Sequence, residues 1–294
     1  MSAPKLIFIL TISLFGLIGV MSLVKKEKAP VVLAEEGSIY EEAIVVEPAL
    51  PPLLLSKEEV VVDRVPLLFT TTDQKLPIVE TVTYKSRVPW LKGRPAWITD
   101  YAAYYQTSRH FIARSLNRKA DYYTQKVASG NQFNVFRTDK DIRFHFDVDL
   151  DDYKMSFYYL DGNEKVLLKV YKIGIGRLDK ASPSGSLTPE GNYSLGDKVA
   201  IYKPGIIGFF QEKEIEMIQV FGTRWIPFNV SGYGFHGAPW VKSPNGEFIE
   251  DRSCIGVASS DGCIRLLQED IEEIFSIVIT KPTTIEVKKR HAMP

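Results

Sequence analysis

The chain reads as mainly β. The expected architecture is a β-sandwich preceded by a small helical region and, nearer the N-terminus, by a transmembrane helix. Three observations carry this expectation. Between Ile142 and Tyr159 apolar and polar residues alternate with a period of two. Beyond Gly162 come many short apolar runs separated by turn residues, with a single amphipathic helix late in the chain. Near the start, Leu6–Val24 runs for 19 residues without a charge.

That first run would be about 28 Å long as a helix at ~1.5 Å per residue, close to a bilayer core and long for a signal peptide. Val32-Leu33-Ala34 resembles a cleavage site but lies ten residues beyond the run. Residues 1–29 are therefore expected to hold an uncleaved anchor. Residues 30–66 contain Pro30, Pro48, Pro51, Pro52 and Pro66 and the acidic pairs Glu35-Glu36, Glu41-Glu42 and Glu58-Glu59. Prolines remove donors and paired acids repel, so an extended linker is expected.

Residues 67–139 read as a helical, aromatic-rich accessory region. Pro95 fits a first helical turn, and Ile98, Tyr101, Ala102, Tyr105, Ile112 and Leu116 follow at helical spacing. Asn117 punctuates, and a second helical stretch runs to Ser129-Gly130. Trp90, Trp97, Tyr101, Tyr104 and Tyr105 either form a stacking surface or pack onto the following domain; burial tendencies favour packing.

Residues 140–294 are expected to form the sandwich. Ile142, Phe144, Phe146, Val148 and Leu150 alternate with Arg143, His145, Asp147 and Asp149, which puts His145 on a polar face as a solvated histidine. Met155, Phe157 and Tyr159 continue the pattern, Asp161-Gly162-Asn163 turns the chain, and Val166, Leu168 and Val170 return it. Short strands are expected around 192–202, 206–210 and 215–222. Leu267, Ile271, Ile274, Phe275 and Val278 predict a helix that Pro282 ends, and 284–287 supply a last strand.

Composition excludes several functions. Lys plus Arg equals Asp plus Glu, 36 against 36, so no basic field points to nucleic acid. Two cysteines are too few for a disulfide scaffold and wrongly spaced for zinc. His110, His145 and His291 show no ligand spacing with His236 or with carboxylates, so neither a metal site nor a cofactor is expected.

The chemistry is concentrated in 236–265. A thiol (Cys263), an imidazole (His236), a guanidinium (Arg265) and a glycine beside the thiol (Gly262) occur together. An imidazole can hold a thiol as thiolate, the attacking form. Gly262 can adopt angles that expose the sulfur, and the N–H groups of such a turn can receive an oxyanion. A lone cysteine is by default a small buried hydrophobe. Four compatible features in one stretch reverse that default.

His236-Gly237, Ile255-Gly256 and Ser260-Asp261-Gly262-Cys263-Ile264-Arg265-Leu266 resemble the signature of the L,D-transpeptidases, the YkuD-type peptidoglycan enzymes. Thr188-Pro189-Glu190-Gly191-Asn192-Tyr193 resembles the TPxGxY segment of that family. The likeness covers roughly residues 140–288; one departure is Asp261, where many members carry His. The resemblance implies an L,D-transpeptidase-like β-sandwich. It also implies that Cys263 attacks the amide between the third residue and D-Ala of a stem tetrapeptide. His236 is then general base and acid, with the backbone carbonyl of Gly237 orienting it. N–H groups near Gly262 and Cys263 hold the oxyanion, and Ser260 and Arg265 give support. An amine of a second stem resolves the thioester to a 3→3 cross-link, and carbapenems are the implied inhibitors.

Water (an L,D-carboxypeptidase) or a lipoprotein lysine can serve as acceptor instead, and nothing in the sequence separates these. A non-catalytic wall-binding module is a further alternative, against which intact Cys263, His236 and Arg265 argue. A peptidoglycan substrate puts residues 30–294 outside the cytoplasmic membrane, on its periplasmic side. Lys25, Lys26 and Lys28, following the span, favour the opposite orientation by the positive-inside rule; the substrate's location outweighs them. Cys254 either pairs with Cys263 or packs as an apolar residue, and packing is favoured.

Overall fold

Alternation along 142–170 produces three consecutive antiparallel strands. They form one side of the larger sheet in this computed structural model, which describes residues 62–117, 127–162 and 164–289. The Leu6–Val24 run, the linker up to residue 61, the stretch 118–126 and His291 lie outside the described residues. Among the described residues, no helix is long and apolar enough to cross a membrane.

The chain order begins with α1 (Pro66–Phe69), β1 (Val79–Thr83), α2 (Ile98–Tyr104), α3 (Arg109–Asn117) and β2 (Gln132–Phe136). Next come β3 (Arg143–Asp149), β4 (Lys154–Asp161), β5 (Glu164–Lys172), β6 (Ile175–Gly176), β7 (Gly191–Ser194) and β8 (Ala200–Ile201). They are followed by β9 (Ile207–Phe210), β10 (Lys213–Glu216), α4 (Ile218–Phe221), β11 (Arg224–Pro227) and β12 (Gly234–Gly237). The last stretch holds β13 (Trp240–Lys242), β14 (Phe248–Glu250), β15 (Ala258–Ser260), β16 (Ile264–Leu266), α5 (Gln268–Val278) and β17 (Thr283–Lys288).

A five-stranded sheet runs β5-β4-β3-β17-β7 and a four-stranded sheet runs β16-β12-β11-β8. The last strand, β17, lies between β3, to which it is parallel, and β7, to which it is antiparallel. Register pairs Phe144 with Tyr159, Phe146 with Phe157 and Val148 with Met155, so one face of the sheet is continuously apolar. That face packs on the second sheet, where the Phe146 and Phe235 rings meet at 5.2 Å. Phe144, Phe146, Phe157, Phe235, Ile264 and Leu266 are all buried, each contributing about 1.5–3 kcal/mol relative to exposure. α5 closes the core with Ile271, Ile274, Phe275 and Val278. Glu269 and Asp270 in its first turn suit the positive end of its dipole.

Four sequence expectations need correction. The 192–202 stretch is two strands, β7 and β8, because the chain bends at Asp197 between them. Residues 215–222 are not one strand: β10 ends at Glu216 and α4 follows. Four residues are too few for periodicity to separate strand from helix. The accessory region is not purely helical, since β1 and β2 pair from Val79↔Phe136 to Thr83↔Gln132. Pro95 also lies ahead of α2 rather than in its first turn; Asp100 caps that helix by accepting the Trp97 N–H at 2.8 Å.

The accessory aromatics divide between core and surface. Tyr101 is buried with Ala102, Ile112, Phe133 and Val135. Trp90 and Tyr104 stack at 4.5 Å, while Trp97 (66%) and Tyr104 (50%) stay exposed. Phe111 on Phe136 (4.5 Å) and Phe136 on Phe144 (5.9 Å) carry an unbroken aromatic contact from α3 into the sandwich.

Candidate active site

The site is built on two parallel strands of the smaller sheet. β12 and β16 pair as Phe235↔Ile264, His236↔Arg265 and Gly237↔Leu266. Strand alternation sends Phe235, Ile264 and Leu266 into the core and puts His236 and Arg265 on the opposite face. Cys263 directly precedes β16, two residues from Arg265, and so shares that face. His236, Cys263 and Arg265 are thereby brought to one surface, as the sequence motifs require.

The turn carrying Cys263 is braced from several sides. Ser260, buried at the end of β15, donates its hydroxyl to the Cys263 carbonyl at 2.6 Å and accepts the Gly262 N–H at 3.1 Å. Thr188 donates to the Gly262 carbonyl at 2.9 Å and accepts the Gly176 N–H at 2.7 Å. Gly262 itself takes φ +122°, and a Cβ there would come within 2.7 Å of the Tyr233 ring and 2.9 Å of the Leu187 carbonyl. No other residue fits that position.

His236 is 4% exposed. Its Nδ1 lies 2.7 Å from the Gly237 carbonyl. A carbonyl only accepts, so Nδ1 carries the proton and Nε2 keeps its lone pair. Phe221 (5.5 Å) and Trp225 (6.2 Å) flank the ring. Burial, and then the positive charge of Arg265, push the pKa of His236 down to about 3, against the Gly237 bond. Burial pushes the half-buried Cys263 thiol up to about 11, opposed by a backbone hydrogen bond from Gly234 and by Arg265. Thiol and imidazole are therefore both neutral at pH 7. The thiol donates to the Gly232 carbonyl at 3.4 Å rather than to His236.

The N–H groups near Gly262 and Cys263, expected to receive the oxyanion, are not equivalent. The Gly262 N–H is already committed to Ser260, whereas the Cys263 N–H has no partner among the described residues. Arg265 reaches the Ser259 hydroxyl at 3.1 Å, and its buried Nε is unpartnered. Asp261 forms an exposed ion pair with Arg177 at 2.7 Å. Cys254 is buried, donates to the Asp251 carbonyl at 3.1 Å and is free, as is Cys263. Thr188, Tyr233, Phe221, Trp225 and the Gly232 carbonyl had no assigned role in the sequence reading. Only Thr188 carried a signal, as the first residue of its TPxGxY-like segment.

No match was found among curated protein sequences. Similar solved structures include Bd1075 from Bdellovibrio bacteriovorus, at 19% identity over 52% of this chain and 50% of that one, with a TM-score of 0.35. The helical cell shape determining protein Pgp2 from Campylobacter jejuni is similar at 18% identity over 52% and 50%, TM-score 0.35. An L,D-transpeptidase from Mycobacterium smegmatis is similar at 13% identity over 55% and 76%, TM-score 0.32. The chain spans about half the length of the first two. The segment that holds His236, Cys263 and every residue bracing them, 146–287, matches the model of YkuD, the L,D-transpeptidase catalytic domain.

Proposed function

We propose that the chain is a peptidoglycan L,D-transpeptidase that works through a Cys263 thioester. The observation that supports this most is His236 held by the Gly237 carbonyl at 2.7 Å, with its free Nε2 on the face that carries Cys263. Since both groups start neutral, proton transfer accompanies attack: the thiol leaves Gly232, gives its proton to Nε2, and sulfur bonds to the substrate carbonyl carbon. The Cys263 N–H receives the developing oxyanion. Collapse breaks the C–N bond, and His236 returns the proton to the departing D-Ala amine. A second stem's amine then attacks the thioester, a C–N bond forms as the C–S bond breaks, and the amine's proton passes through His236 to the departing sulfur. Arg265 stabilises negative charge on sulfur and disfavours a long-lived imidazolium.

In this reading Leu6–Val24 anchors the chain in the cytoplasmic membrane, the linker lifts the folded residues from 62 onward away, and the catalytic domain works on the outer side. Protease added to spheroplasts then degrades the catalytic domain; full protection reverses the orientation. The chemistry is tested by mass spectrometry of muropeptides incubated with the protein. A 3→3 linked dimer with release of D-Ala supports the proposal, whereas trimmed tripeptides alone make the chain an L,D-carboxypeptidase. A carbapenem adduct on wild-type protein must vanish in Cys263→Ala; an adduct on that variant overturns the nucleophile.

A further inference from the structure

The outer face of the five-stranded sheet, on the far side of the core from Cys263, carries a second cluster of chemically capable side chains. His145 and Asp147 project from β3 on the face opposite Phe144 and Phe146, and β17 brings Glu286 into register with Asp147. One ligand atom from each of His145, Asp147 and Glu286 lies within 4.8 Å of the other two. A zinc ion bonded at about 2.0–2.2 Å holds its ligand atoms about 3.3 Å apart, so modest side-chain rotation closes the set. We propose that His145, Asp147 and Glu286 form a binding site for one divalent transition-metal ion, with Zn2+ as the probe cation.

The surroundings of His145 suit a ligand. Its Nε2 points at Asp147 Oδ1, 2.7 Å away, and its Nδ1 meets the Thr284 hydroxyl at 2.7 Å. Moving the ring proton to Nδ1 lets it donate to Thr284 and frees Nε2 for the metal, the usual arrangement in which the second nitrogen of a ligating histidine is held by an outer partner. The side chain of His145 is only 12% exposed, so the ring is held in place. Lys165 lies 3.4 Å from both Asp147 oxygens and Lys288 lies 2.8 Å from Glu286. Both lysines are about half exposed. A groove of about 660 Å³ lined by Asp147, Lys154, Ser156, Tyr158 and Lys172 adjoins the cluster and admits water as a fourth ligand. The ligands span 141 positions, from β3 to the last strand, so a bound ion clamps β17 to the sheet and raises folded-state stability by mass action.

The test is calorimetric titration of the untagged, EDTA-treated full chain with Zn2+, alongside thermal melting. Expected are one ion per chain and a Tm that rises to a plateau with Zn2+. His145→Ala and Asp147→Asn should each weaken binding at least tenfold and remove the Tm rise. Glu286→Gln decides if either variant fails to fold. Cys263→Ala must keep the same stoichiometry and affinity. Absence of saturable uptake, uptake unchanged in the β3 and β17 variants, or uptake lost in Cys263→Ala each overturns the proposal; the last would put the ion on the active-site thiol. None of these outcomes bears on whether Cys263 performs acyl transfer.

Discussion

His236 and His145 occupy comparable scaffolding and differ in what surrounds them. Each lies on the outer face of one sheet of the sandwich, on a strand paired in parallel with a strand from the last third of the chain. His236 faces an uncharged carbonyl beneath Phe221 and Trp225, with the Arg265 cation nearby. His145 faces a hydroxyl and a carboxylate, with a second carboxylate within reach. The first environment penalises an imidazolium and keeps a neutral base; the second sets oxygen partners on both ring nitrogens. Residue type and strand position do not separate these roles. The partners do.

The sharpest way to break the comparison is to remove the base. His236→Ala should slow acylation of Cys263 by about 10²–10⁴-fold, the usual worth of a positioned general base, with Zn2+ uptake on the outer face unchanged. Acylation by a carbapenem, followed by mass spectrometry over time, measures it. A loss under tenfold would make His236 dispensable and leave the two histidines without functional distinction.

A somewhat smaller effect is expected at Thr188, which acts through the turn rather than on substrate. Thr188→Val leaves the Gly262 carbonyl and the Gly176 N–H without their hydroxyl partner. Stranding buried backbone groups costs about 1–3 kcal/mol each, so both Tm and acylation rate should fall. Thr188→Ser, which keeps the hydroxyl, should restore most of both. Equal loss in both variants would assign Thr188 to packing.

These roles mark the limits of the sequence. Cys263 and His236 were legible because a contiguous motif carries the thiol, its glycine and Arg265, and the alternation at 142–170 was legible because one face is buried throughout. Thr188 reaches Gly262 across 74 positions and His145 reaches Thr284 across 139. No local period records such pairings; the parallel insertion of β17 creates the second. The neutral thiol and imidazole were likewise hidden, since spacing does not encode burial. The α4 turn escaped because it is four residues long.

Stability against pH sharpens the contrast next. The pKa of His236 is about 3 folded against an ordinary 6.5. The unfolded chain therefore binds a proton that the folded chain refuses across that interval. Stability is present above pH 6.5 and is lost as pH falls toward 3, with a slope of up to about 1.4 kcal/mol per pH unit from this group. Urea midpoints between pH 7 and 4 should show this slope reduced in His236→Gln. An unchanged slope would mean that carboxylates alone drive the acid loss.

The smallest effect is expected at Asp261, whose ion pair with Arg177 is more than half exposed on both sides. Exposed pairs contribute about 0–1 kcal/mol, so Asp261→Asn should leave Tm nearly unchanged. Its charge is still felt at the sulfur: burial dominates the elevation of the Cys263 pKa to about 11, and Asp261 adds to it. Removing that negative charge makes the thiolate easier to form. The pH at which iodoacetamide alkylation of Cys263 reaches half its maximum should therefore move down in Asp261→Asn. Arg177→Gln, which leaves Asp261 uncompensated, should move it up. Opposite shifts with little change in Tm identify a purely electrostatic influence of Asp261 on the sulfur. Shifts of the same sign would instead mean that the pair holds the 259–263 turn in shape and that its charges are incidental.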